Sequence, residues 1–177
     1  SLVEDVERKV RELDKRNRDL DRKSKRKVEE ADKENRKLDE DSERKVRELE
    51  RKATELKGTS EEAVKRIEDE VREVVRRLRE LYKTAEEKNK EVVKTLEKLY
   101  RDMERRNKEV LDEIKKRLLD SEESLRRLEE ELRKSIKESK EILDELRKEL
   151  EKSIRESKER LKELEKRLEE LIRELKR

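Results

Sequence analysis

Apolar residues recur along this chain in steps of three and four, and the whole pattern returns every 18 residues. VVRRLRELYKTAEEKNKE, from Val74, is followed at once by VVKTLEKLYRDMERRNKE, so Val74, Val75, Leu78, Leu81, Tyr82 and Asn89 reappear as Val92, Val93, Leu96, Leu99, Tyr100 and Asn107. Eighteen residues make five turns at ~3.6 residues per turn. A stripe with that period stays on one face of an undistorted helix, without the left-handed supercoil that a seven-residue repeat imposes.

The pattern predicts three long helices. The first, over about 1–57, carries the stripe Leu2, Val6, Val10, Leu13, Asn17, Leu20, Ser24, Val28, Ala31, Asn35, Leu38, Ser42, Val46, Leu49, Ala53 and Leu56, and Ser1 with Glu4 has the form of a capping box at its start. Lys57, Gly58, Thr59 and Ser60 break it: Gly58 suits the left-handed residue that closes a helix, and Thr59 with Glu62 forms a second capping box. The second helix, over about 60–119, has the widest apolar stripe. Asp120-Ser121-Glu122-Glu123 then echoes Thr59-Ser60-Glu61-Glu62, which places a second break at Asp120 and Ser121, with Asp120 as cap. The third helix, over about 121–177, repeats SIKESKEILDELRKELEK as SIRESKERLKELEKRLEE. Connections this short force neighbouring helices antiparallel. The expected fold is all-α: an elongated, antiparallel up-down-up three-helix bundle of nearly straight, untwisted helices forming a single domain, each helix about 57 residues and so ~85 Å long.

Composition sharpens this picture at one point. The chain is 62% charged and 28% hydrophobic, a balance that ordinarily means disorder. Strict apolar periodicity with one Gly and no Pro indicates long helices instead. The net charge of +3 is the small difference between 56 basic and 53 acidic residues mixed along the chain, and it selects no partner. No apolar run approaches the ~18 residues of a membrane span, and no segment resembles a secretory leader. The chain therefore reads as soluble, with no membrane partner and no targeting signal.

The stripes also contain polar residues, and these set the levels of the bundle. Reflection across the first connection pairs residue n with roughly 117 − n, and across the second with roughly 240 − n. This places Asn17 opposite Tyr100 and Asn35 opposite Tyr82, Tyr100 near Ser139 and Tyr82 near Ser157, and Asn107 and Asn89 near Ser135 and Ser153. Two polar networks are expected, Asn17/Tyr100/Ser139 and Asn35/Tyr82/Ser157, with the Asn107/Ser135 and Asn89/Ser153 pairs adjoining. A satisfied buried network costs little and fixes which helices face one another at which height, whereas an unpaired amide or hydroxyl costs about 1 to 3 kcal/mol. Ser24 and Ser42 have no evident partner.

Near-identical blocks, capped short connections, Glu/Lys/Arg surfaces and polar layers in a Leu/Ile/Val core resemble de novo designed helical bundles with buried hydrogen-bond networks. The resemblance spans the chain and is one of style rather than of a single motif. It implies a scaffold with specified helix pairing and no inherent catalytic site.

Other chemistry finds little support. Cys and His are absent, which removes thiolate catalysis, disulfides and zinc by Cys or His. A hydroxyl such as Ser139 has no His base, and no Gly-rich loop cradles a phosphate. No cofactor or metal is expected. Arg16, Arg18, Arg22, Lys23, Lys25, Arg26 and Lys27 form a basic stretch, but acids interleave it and no aromatic stands there for base stacking. It reads as a solvated helix face, not a nucleic-acid site. Function is thus expected to be structural, with no required partner. The alternative is an interaction module that oligomerises or binds a further helix.

Overall fold

A computed structural model describes residues 1–56 and 58–177; Lys57, one of the four residues assigned to the first break, lies outside the described residues. Three helices account for nearly all of the rest: α1 (Leu2–Glu55), α2 (Glu61–Arg117) and α3 (Glu122–Lys176). Ser1 Oγ accepts from the Glu4 N–H at 3.3 Å and opens α1. Beyond Glu55, the Thr59 N–H and hydroxyl both donate to the Leu56 carbonyl, at 3.1 and 2.6 Å, and Gly58 takes φ +90°. Thr59 thus finishes α1 instead of capping α2. The cap is Ser60, whose Oγ accepts from the Ala63 N–H at 3.4 Å. At the second break the carbonyl of Ser121 accepts from the Leu125 N–H at 2.9 Å. Ser121, not Asp120, occupies the cap position of α3, because the chain needs the turn at Leu118–Asp120 before it can reverse.

The contacts group into two compact units. Unit 1 comprises Ser1–Glu29 and Glu91–Glu149; unit 2 comprises Glu30–Lys90 and Leu150–Arg177. In unit 1, Lys9 pairs with Glu113 at 2.8 Å while Asn17, further along α1, meets Asn107, and Lys140 pairs with Glu104 at 2.6 Å while Arg147 meets Glu97, so α2 runs antiparallel to both α1 and α3. In unit 2 the same directions follow from Lys52–Glu70 at 3.2 Å with Asn35–Asn89, and from Lys158–Glu86 at 2.8 Å with Arg79–Glu165. Up-down-up order is therefore present in each.

Each unit has its own apolar cluster. Val6, Val10, Leu13, Ile114, Leu118, Leu128 and Leu132 form that of unit 1. Val46, Leu49, Ala53, Ile67, Val71, Val74, Leu78, Tyr82, Leu164, Leu168 and Leu171 form that of unit 2. A fully buried Leu contributes about 1.5 to 3 kcal/mol relative to exposure. These clusters therefore hold the helices together, and Leu132→Ala or Leu164→Ala removes about 2 to 5 kcal/mol. Between Leu13 and Val46, α1 buries only one fully apolar side chain, Val28; Leu20, Ala31 and Leu38 are half-buried, and the other inward positions are polar.

Candidate functional site

The polar side chains that α1 turns inward meet polar partners from α2 and α3. In unit 1, Asn17 Nδ2 donates to Asn107 Oδ1 at 2.9 Å and to Ser135 Oγ at 3.0 Å. Asn107 Nδ2 donates back to Asn17 Oδ1 at 3.1 Å and to the Met103 carbonyl at 2.6 Å. An amide group has two N–H donors, and both amides use both. One turn further along α1, the Asp21 carboxylate accepts from the Tyr100 phenol at 2.7 Å and from the Ser139 hydroxyl at 3.0 Å.

Unit 2 builds the same arrangement from residues 18 positions away in sequence. Asn35 Nδ2 donates to Asn89 Oδ1 at 3.2 Å and to Ser153 Oγ at 2.8 Å, and Asn89 Nδ2 returns to Asn35 Oδ1 at 3.0 Å and to the Ala85 carbonyl at 2.6 Å. The Ser153 hydroxyl passes its own proton to Asp32 Oδ1 at 3.0 Å, and the Tyr82 phenol donates to Asp39 Oδ1 at 2.6 Å.

All ten polar residues singled out in the sequence are buried: Asn17, Asn35, Tyr82, Asn89, Tyr100, Asn107, Ser135, Ser139, Ser153 and Ser157. Their grouping differs from simple reflection. Asn17 meets Asn107 and Ser135 instead of Tyr100 and Ser139, and Asn35 meets Asn89 and Ser153 instead of Tyr82 and Ser157. The two tyrosines bond to Asp21 and Asp39, one turn beyond each asparagine, and among the described residues no hydrogen bond joins Ser157 to Tyr82 or Asn35. The cause is side-chain direction. Every helical side chain leans toward the N-terminus of its own helix, so across an antiparallel pair the two lean in opposite senses. The residues whose tips touch then lie further along their helices than the residues that stand level.

Asp21, Asp32 and Asp39 escape a stripe-based reading, because a carboxylate gives no contrast in a chain this charged. One signal was available: Asn17/Asp21/Ser24 recurs with unchanged spacing as Asn35/Asp39/Ser42. Burial raises the carboxyl pKa of Asp21 above its ordinary value; the bonds from Tyr100 and Ser139 and the charge of Lys25 oppose this, and Glu138 adds to it. Asp39 is raised by the same cause and opposed by Tyr82 and Arg160. Both phenols are pushed upward by burial and by the carboxylates they serve. Ser24 and Ser42 lie by these phenols, and their buried hydroxyls have no hydrogen-bond partner.

Among the described residues, no group of three or more acidic side chains is placed to hold a metal ion, and no helix is long and apolar enough to cross a membrane. The arrangement consists of two Asn–Asn–Ser layers, each bonded across three helices, with the phenol protons committed to carboxylates. No family model matches the sequence, and no curated protein does. Among solved structures, the chain is similar to a "Computationally designed three helix bundle", with a TM-score of 0.54 and 19% identity over 98% of this chain and 84% of that one. The fold is a three-helix bundle, and its buried Asn, Ser and Tyr hydrogen bonds fit a designed helical bundle.

Proposed function

We propose that the chain is a designed structural scaffold without catalytic activity, in which the apolar clusters supply stability and the polar layers dictate helix pairing and register. One observation carries this reading. Asn17/Asn107/Ser135 and Asn35/Asn89/Ser153 each draw one polar side chain from each of three helices into one closed set of hydrogen bonds. Sliding or rotating any helix would leave buried amides unpaired, at about 1 to 3 kcal/mol each. Uniform apolar layers would tolerate such shifts far better.

The test replaces both layers with apolar residues, Asn17, Asn35, Asn89 and Asn107 by Leu and Ser135 and Ser153 by Ala. The expected product remains helical and at least as stable, yet loses its single set of sharp amide resonances or its single mass. A variant that keeps one defined state with unchanged pairing overturns the role given to the layers. A parent mass above the 21.8 kDa of one chain in sedimentation equilibrium would favour an interaction module instead.

A further inference from the structure

A groove of about 480 Å³ runs between α1 and α2 within unit 1. Its floor holds Leu13, Leu20, Leu99 and Met103, with Ser24 among them, and Arg16, Lys23, Lys27 and Arg106 line its edges. Three of those cations belong to the basic stretch of α1. None of the four makes an ion pair among the described residues; the acid on this edge, Asp19, is already bound by Arg22.

The floor also holds a hydroxyl that completes no hydrogen bond, although the Tyr100 phenol lies beside it. Ser24 is 1% exposed and its hydroxyl has no hydrogen-bond partner. Unsatisfied buried hydroxyls are rare in folded proteins, and this one lines the groove together with the exposed Lys23 and Lys27. The groove thus combines an idle donor, unpaired cations and an apolar floor.

We propose that this groove binds a free single-chain amphiphile with an anionic head, such as a fatty carboxylate or an alkyl phosphate. The head accepts from the Ser24 hydroxyl and pairs with Lys23 and Lys27. The chain lies over Leu20 and Leu99, toward Arg16 and Arg106, whose methylene stems cover it. From Arg16 to Lys27 the groove wall is ~16 Å long, and its volume falls in the usual range for small-ligand sites. A docked helix is a poorer occupant. Leu13 and Met103 are 7% and 3% exposed, so the accessible apolar floor is far below the ~1,000 Å² that a specific macromolecular interface requires.

The repeat supplies an internal control. Eighteen residues along α1 and back along α2, Arg16 and Lys23 become Glu34 and Asp41, while Leu13 and Met103 become Ala31 and Ala85. That copy keeps Ser42 as its idle hydroxyl and two of the four rim cations, as Lys45 and Lys88, but has acids at the other two positions and lacks the larger apolar side chains.

The experiment titrates the full chain with sodium dodecanoate below its micelle-forming concentration, followed by calorimetry and amide NMR. One saturable site is expected, with shifts at Leu20, Ser24 and Leu99 and none at Leu38, Ser42 and Leu81. Lys23→Glu/Lys27→Glu, both exposed, should retain the fold and weaken binding by about tenfold or more. Ser24→Ala should weaken it severalfold, and Lys45→Glu should leave it unchanged. Absence of saturable binding, shifts in both copies, indifference to the charge reversal, equal binding of dodecyltrimethylammonium, or binding to anionic vesicles alone would each overturn the proposal.

Discussion

Asn17 and Asn107 exchange two amide hydrogen bonds across the core of unit 1, at 2.9 and 3.1 Å, in a reciprocal pair that leaves each one a second N–H for Ser135 or the Met103 carbonyl. Removing one partner is therefore worse than removing both. Asn17→Leu strands the Asn107 carbonyl oxygen and the Ser135 hydroxyl, for an expected loss of about 1 to 3 kcal/mol. Adding Asn107→Leu should recover much of it. A double-mutant cycle by guanidinium denaturation measures this, and additive single losses would show that the pair is not coupled.

Tyr100 serves a charged acceptor rather than an amide. Tyr100→Phe deprives the Asp21 carboxylate of its 2.7 Å bond and leaves only that from Ser139. The expected loss at neutral pH is about 1 to 3 kcal/mol. Because that bond holds the carboxyl pKa down, the substitution should also make stability fall more steeply as pH rises. Equal losses at acidic and neutral pH would contradict the charged character of the acceptor.

Among the described residues, Gly58 is the one position with a positive φ. Its φ is +90°, and a Cβ built there meets no heavy atom within 4 Å. Any penalty must then be conformational, not steric. Gly58→Ala should destabilise by about 1 kcal/mol, and Gly58→Asn by less, since Asn tolerates left-handed backbone. A loss several times larger in thermal unfolding would mean that the turn carries contacts beyond its dihedral.

These positions show what the sequence discloses and what it withholds. The helices are legible because Val, Leu and Ile at helical spacing stand out against a charged background, and Gly58 because glycine takes a positive φ without the penalty a Cβ adds. Polar stripe members such as Asn107 and Ser153 stand out for the same reason. Register is less legible: which polar residues touch depends on the lean of their side chains, which separates Asn17 from Tyr100 and hands the phenol to Asp21. Asp21 and Asp39 are hidden by composition, since each is one carboxylate among 53 acidic residues. Leu20 and Leu38, their apolar neighbours, draw the stripe to themselves although both are only half-buried.

The buried Asp21 and the half-buried Asp39 give the bundle an unusual dependence on pH. Asp21 and Asp39 are held above their ordinary pKa of 3.8 by burial, so each binds its proton more tightly in the folded chain than in the unfolded one. By linkage, such a group contributes stability that is fully present below the unfolded pKa and is lost as pH rises through the folded one. Glu43, Glu86 and Glu113 act in the opposite sense: Arg167, Lys158 and Lys9 respectively hold them below their ordinary 4.5, so their contribution is present above that value and disappears as pH falls through the depressed one. The total is a compromise, and only a difference measurement isolates the aspartates. Asp21→Asn/Asp39→Asn keeps a carbonyl to accept from Tyr100 and Tyr82 while removing both titrations. Denaturation from about pH 3 to about pH 7 should show the variant gaining on the parent as pH rises. A constant difference across that range would mean that the parent's aspartates titrate alike in the folded and unfolded chains.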